Sequence, residues 1–294
     1  MSEPVIDRLF LGAGAMKAGT TWLYDVLNRH PQIYFTPEKE LHYFYARHVR
    51  SDILSDQARL ENVQRKYLKF DPARARPLAI RDRMRWIANY LDGPVDDHWY
   101  RSLFLHRPTG AWAGDFSNLY ALLPEPAWAR VAERVADLRV LYTMRDPIDR
   151  LWSHAKFHLK VTGQADAIDR WSAGQLEAFV RRPFIWENAE YGAAVRRMQA
   201  ALPEGVLKLL FHEDIHADET SALSEIEAFL GLPPFAYPEA AIARRINATE
   251  SRPIPEEFRA RLLPDAQRIA EELRSLGLEV PAGWTLEEEV AVTP

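Results

Sequence analysis

Ile6-Asp7-Arg8-Leu9-Phe10-Leu11 runs directly into Gly12-Ala13-Gly14-Ala15-Met16-Lys17-Ala18-Gly19-Thr20-Thr21-Trp22. A mostly apolar run, a loop of small residues and a hydroxyl-rich helix start follow one another without a break. This is the order of a strand, a tight turn and a helix, and such a turn aims backbone N–H groups and the positive end of a helix at one point. It suits a bound phosphate or sulfate. Gly14 and Gly19 bracket four residues, as in the loop G-x-x-x-x-G-K-[ST], but position 20 is Thr where that loop carries its lysine. The lysine sits earlier, at Lys17. Thr20 and Thr21 place hydroxyls at the helix start, where they can cap the helix and face an anion together.

A second segment has the same grammar. Arg139 to Met144 is a β-rich run, and Arg145-Asp146-Pro147 follows it. Asp146 fits an N-cap and Pro147 the first helical position, which puts Ser153 two turns along the next helix. Arg145 ends a strand, where ligand-binding residues of parallel sheets collect. Its planar fork can donate two hydrogen bonds to an oxyanion. The competing reading is an ion pair with Asp149 that closes the loop.

Strands at 6–11, 32–36, 110–114, 138–144 and 206–211 alternate with helices at 20–30, 126–136, 147–160, 174–181, 186–201, 219–230 and 255–276. That alternation predicts an α/β fold, a central parallel sheet covered by helices on both sides, within a single domain over 1–294. Residues 47–110 mix arginines with Trp86, Tyr90, Trp99 and Tyr100 and read as a mostly helical insertion, a lid or a peripheral layer. Of the 294 residues, 47% are hydrophobic, enough for a sizeable core. The formal net charge of −5 argues against general nucleic-acid binding, so an anion site has to be locally basic. Cysteine is absent, which excludes disulfide and thiol chemistry. No stretch approaches the ~18 consecutive apolar residues of a membrane span. His154 and His158 share a helix face but have no evident third ligand, so no metal site is expected. Oligomeric state is not legible.

These two motifs resemble those of the sulfotransferases that use 3′-phosphoadenosine 5′-phosphosulfate (PAPS). Lys17-Ala18-Gly19-Thr20-Thr21-Trp22 is similar to their 5′-phosphosulfate loop, and Arg145-Asp146-Pro147 with Arg150 and Ser153 to their 3′-phosphate motif, R-[DN]-P-x-x-R-x-x-S. Phe211-His212-Glu213-Asp214-Ile215 and Phe229-Leu230-Gly231-Leu232 resemble two further segments of the family. Met16 stands where the family often has proline. The resemblance implies a P-loop-like three-layer fold. Lys17 would reach the oxygen bridging sulfate and 5′-phosphate, where charge grows as the S–O bond breaks. Ala18, Gly19, Thr20 and Thr21 would hold the 5′-phosphate, Arg145 and Ser153 the 3′-phosphate, and Trp22 and Tyr191 the adenine side. The product would be 3′,5′-ADP (PAP), and no metal would be required.

Pro37-Glu38-Lys39-Glu40-Leu41-His42-Tyr43-Phe44 resembles the K-E-x-H-[FY]-F segment of the carbohydrate-sulfotransferase branch, in which the glutamate at the Glu40 position is the catalytic base. Glu40 and His42 share a face if the segment is extended and diverge if it is helical. A dry pocket would raise the Glu40 carboxyl and Lys39 would oppose that, while His42 suits proton transfer without tuning. Gly114-Asp115-Phe116-Ser117-Asn118-Leu119-Tyr120 resembles an acceptor-side segment, which would put Ser117 and Tyr120, with Phe44, in the acceptor pocket. The acceptor would be a carbohydrate or other small hydroxyl compound. Two other readings stand beside this one: a P-loop kinase using ATP and magnesium, which the displaced lysine disfavours, and a nucleotide-binding module without catalysis. Residues 244–249 are either a loop closing over the nucleotide or a basic surface turn. Lacking a basic N-terminal flank before an apolar core, the chain reads as a cytoplasmic, bacterial form.

Overall fold

The computed structural model describes residues 4–244 and 252–284, so most of the 244–249 segment lies outside the described residues. Five strands form the sheet: β1 (Ile6–Gly12), β2 (Ile33–Phe35), β3 (Trp112–Phe116), β4 (Val135–Met144) and β5 (Leu207–Phe211). Their order is β2-β3-β1-β4-β5 and every pairing is parallel. All five stand within a few residues of the expected positions. β4 starts earlier than expected because Val135 pairs with Ile6, so the preceding helix, Glu125–Arg134, stops short.

Side-chain alternation along the strands builds two cores, as expected for a sheet buried on both faces. Phe10 of β1 and Leu141 of β4 face a smaller core closed by the helices Thr20–Leu27 and Glu219–Phe229. Leu9, Leu11, Val140 and Tyr142 face the larger core, which includes Leu151, Val195 and Ile269 from the helices Pro147–Val161, Tyr191–Ala201 and Glu256–Ser275. Segment 47–110 folds mainly as the helices Asp56–Lys66, Pro77–Leu91 and Asp97–Ser102, and its Trp86, Tyr90, Trp99 and Tyr100 join the larger core. The helix expected over 186–201 is interrupted: a 3-10 turn occupies Glu187–Ala189, and the α-helix resumes at Tyr191. A helix that the sequence reading lacked, His212–Ala217, follows β5, with Glu213 and Asp214 in its first turn, where the helix dipole favours acids.

Strand order reverses at β1, and in such sheets ligands bind beyond the carboxyl ends of the strands at the reversal. The glycine-rich loop leaves β1 at that point. It is stitched to the end of β4: Ala13 N–H donates to Leu141 O (2.8 Å), Ala15 N–H to Thr143 O (2.7 Å) and Thr143 N–H to Gly14 O (2.9 Å). Arg150 is fully buried and locks the arrangement from below. Its guanidinium donates to Met16 O (3.0 Å), to Ile185 O (2.9 Å) and to His154 Nδ1 (2.7 Å). Accepting from an arginine requires a neutral imidazole, and burial, then Arg150, hold His154 down to about 2.

Two stability effects are expected, each readable as a shift in the urea midpoint. Arg150→Met leaves the Met16 and Ile185 carbonyls and His154 Nδ1 without their donor, and at ~1–3 kcal/mol per unsatisfied group the loss should be about 3 kcal/mol or more. Gly12→Ala places a Cβ 2.4 Å from the Phe116 ring, which is itself wedged edge-on against Phe10 and Phe35. That overpacking should cost ~1–3 kcal/mol.

Candidate active site

Lys17 and Gly19 both adopt left-handed backbone, with φ of 73° and 84°. Gly19 caps the Thr20–Leu27 helix, and any Cβ there would also meet the His212 ring at 3.0 Å. Ala18 is buried and closes the turn through its N–H to Ala15 O (3.1 Å). The Lys17 ammonium lies 4.5 Å from the centre of the Phe157 ring. Burial, then the charges of Arg145, Lys156 and Arg150, push it down to about 8, with Glu40 pulling the other way. Cations confined this closely favour any anion that enters among them.

The β4 end supplies the second pocket. Asp146 caps the Pro147–Val161 helix by accepting from Asp149 N–H (2.9 Å), and Pro147 takes the first helical position. The Asp146 N–H is held by Glu213 Oε1 (2.9 Å), which ties the end of β5 to this turn. Arg145 pairs with Asp149 (3.1 Å), so that ion pair is real, but its buried Nε has no partner among the described residues. Arg145 and Ser153 open onto one cavity of about 380 Å³ that Lys156, Arg252 and Arg259 also line. Those three cations were missed in the sequence. Lys156 lies one helical turn beyond Ser153, so helix periodicity could have found it. Arg252 and Arg259 come from a distant segment and no local spacing announces them.

Trp22 and Tyr191, expected on the adenine side, are both buried. Trp22 is 6% exposed, donates from Nε1 to Ile242 O (3.0 Å) and packs edge-on against His216. Tyr191 is fully buried, and its hydroxyl donates to Arg145 O (2.9 Å), which props the peptide that presents Arg145.

The segment after β2 brings Glu40 and His42 together although it is neither strand nor helix there. His42 is left-handed (φ 56°), and its Nε2 sits 3.3 Å from Glu40 Oε2. Lys39 Nζ is 3.1 Å from Glu40 Oε1 and 3.3 Å from Thr20 Oγ1. Burial alone would raise the Glu40 carboxyl, but Lys39 and His42 outweigh it and take it down to about 2. Opposition by Lys39 thus wins over the dry pocket. Glu38, unread in the sequence, is buried and accepts from Asn62 (2.7 Å), Lys66 (2.6 Å) and Tyr67 (2.8 Å), which fastens this segment to the helical region.

Phe44, Ser117 and Tyr120, expected in an acceptor pocket, are buried beneath the segment. Asp115 organises them. It accepts from Ser117 (2.7 Å), Tyr120 (2.6 Å) and Tyr100 (2.9 Å), and burial pushes its carboxyl up against the pull of those donors. Ser117 Oγ in turn accepts from His42 N–H (2.9 Å), and Phe44 packs against the Tyr100 and Tyr120 rings. Their geometry supports the backbone that carries Glu40 and His42. Among the described residues no helix is long and apolar enough to cross a membrane.

Comparison with solved structures places this architecture. The sulfotransferase from Alicyclobacillus acidocaldarius superposes with a TM-score of 0.62 at 19% identity, covering 97% of this chain and 100% of that one. The sulfotransferase domain from the Synechococcus PCC 7002 olefin synthase gives 0.53 at 12% identity, with coverage of 96% and 98%. The sulfotransferase domain from the curacin biosynthetic pathway gives 0.51 at 16% identity, with coverage of 95% and 99%. At these identities the likeness speaks for the P-loop-like α/β fold. A search of the curated proteins finds no match. The sulfotransferase family model matches residues 10–237, most of the chain, including the turns that leave β1 and β4, and the protein therefore belongs to the sulfotransferase family.

Proposed function

We propose that the chain transfers the sulfuryl group of PAPS to an acceptor hydroxyl by in-line displacement and releases PAP. The observation that carries this reading is the cluster of cations at the ends of β1 and β4, in which Arg145 lines a cavity with Ser153, Lys156, Arg252 and Arg259 and is close enough to depress the Lys17 ammonium. A nucleotide with one anionic group at its 5′ end and another at its 3′ position fits that spacing of charge. The unpartnered Arg145 Nε is a donor suited to such a group.

In this scheme Lys17 stabilises the charge that develops on the bridging oxygen as the S–O bond to the 5′-phosphate breaks. Gly19, Thr20 and Thr21 hold the 5′-phosphate through N–H and hydroxyl donors at the helix start. Arg145 and Ser153 bind the 3′-phosphate, with Lys156, Arg252 and Arg259 adding to the field of the same cavity. Glu40 takes the acceptor proton as the new S–O bond forms, with His42 beside it as an aid or substitute. Motif likeness in the Glu40 segment favours a carbohydrate or other small aliphatic hydroxyl as acceptor. A sulfuryl group carries less negative charge than a phosphoryl group, so its transfer leans less on a divalent cation.

Three measurements check the scheme. Purified protein given labelled PAPS and a pool of hydroxyl acceptors should form labelled product in chelator. Lys17→Ala should abolish it, a loss of roughly a hundredfold or more, with the unfolding midpoint unchanged. Tight binding of ATP with magnesium but none of PAP would overturn the reading. Calorimetry of PAP binding in buffers of different ionisation enthalpy should find proton uptake near pH 8. Lys17 is half neutral there in the empty site, and a bound phosphate favours its charged form. PAP affinity should accordingly fall as pH rises above 8, and Lys17→Ala should remove the proton uptake. Glu40→Gln should lower kcat by roughly a hundredfold to ten-thousandfold and leave PAP affinity within about twofold.

A further inference from the structure

Resting on the nucleotide reading above, we propose that Lys39 is a positioning residue shared by the two halves of the site. It masks Glu40 while the nucleotide pocket is empty and moves its ammonium onto the 5′-phosphosulfate when that group is bound, which frees Glu40 to take the acceptor proton.

The geometry is that of a cation between two destinations. Lys39 Nζ is 3.1 Å from Glu40 Oε1 and 3.3 Å from Thr20 Oγ1. Thr20 opens the helix whose N-terminus faces the phosphate loop. An anion oxygen within hydrogen-bond reach of that hydroxyl is also within reach of the same ammonium, without any backbone displacement. The lysine side chain is only 16% exposed, so its charge needs a partner in either position.

The backbone on either side is pinned, which confines the movement to one side chain. Thr36 Oγ1 donates to Glu38 O (2.7 Å), Leu41 is fully buried, and His42 N–H donates to Ser117. Glu38 does not compete for Lys39, because Lys66, Asn62 and Tyr67 already occupy its carboxylate. The charged and titratable groups that face Glu40 are Lys39 and His42 from its own segment and Lys17 from the loop. A carboxylate ion-paired with Lys39 and bonded to His42 is a poor base, and that is its state in the empty site. Departure of the lysine toward an anion removes the largest opposing charge and restores basicity only when the 5′ anionic group of a nucleotide is in place. The nucleotide therefore has to bind before the acceptor is activated.

Lys39→Met keeps the chain length and removes the ammonium, and it separates this device from a static ion pair. If Lys39 moves to the nucleotide, the variant should bind PAP roughly tenfold to a hundredfold more weakly. The acid limb of kcat at saturating PAPS should stay where the wild type has it, because Glu40 has already lost Lys39 in that complex. Lys39→Arg should recover most of the PAP affinity. If Lys39 stays on Glu40, PAP affinity is unchanged and the acid limb rises by about one pH unit or more; that result overturns the proposal, as does unchanged affinity with an unmoved limb. Lys39→Gln serves in its place if the methionine variant unfolds. A wild type that binds no PAP defeats the nucleotide reading itself, whereas a wild type and a Lys39→Met variant that bind PAP equally well defeat only the role of Lys39.

Discussion

Repulsion among cations held at the ends of β1 and β4 is the constraint around which the rest is arranged. Lys17, Arg145, Arg150 and Lys156 are close enough that the first loses basicity to the other three, after burial itself. Left to themselves such charges would separate. Three of them are fixed without losing their reach: Arg150 by two carbonyls and a neutral imidazole, Lys17 by the loop turn and the Phe157 face, and Arg145 by an ion pair with Asp149 that leaves its Nε without a partner among the described residues. The sheet supplies the rigidity. Parallel ladders join β3, β1 and β4 side by side, so the turns that leave them cannot drift apart without breaking buried hydrogen bonds.

Two carboxylates near the site have opposite duties, set by their neighbours. Asp115 is buried among three hydroxyl donors and faces no lysine or arginine among its main influences. It organises backbone by way of Ser117 and Tyr120, and its chemistry ends there. Glu40 has no such cage of neutral donors. It is one-third exposed and meets two basic side chains directly, so its basicity follows where those charges go. Two carboxylates a few residues from one backbone segment thus differ in character because their neighbours differ.

The fold was readable because it rests on local patterns. Apolar runs marked all five strands, and Pro147 and Asp146 marked a helix start that the structure reproduces. The turns that leave β1 and β4 were readable for the same reason, since a loop and the helix it opens are contiguous in sequence. What escaped was made by long-range packing. Glu38 looks like a solvated charge until helix Asp56–Lys66 folds over it, and Arg259 meets Arg145 only through the docking of helix Glu256–Ser275. Ser117 and Tyr120 carry motif likeness, but only the tertiary structure places them beneath the segment that bears Glu40. Tyr191 likewise turned out to brace Arg145 from behind.

The helical region from 47 to 110 gains its bearing on the site through one buried residue. Glu38 is bonded to Asn62, Lys66 and Tyr67 on one side of the peptide chain, and its neighbour Lys39 reaches Glu40 and Thr20 on the other. Tyr90 extends the connection: its hydroxyl accepts from Asn62, its ring stacks on Trp86, and its carbonyl accepts from Arg59 and Trp99. A network in which Glu38 has three donors and the Tyr90 carbonyl two resists partial displacement. A helical layer fastened in this manner holds the Glu40 segment at a fixed distance from Thr20. That fixed distance is what lets a single lysine side chain reach both the Glu40 carboxylate and the Thr20 hydroxyl.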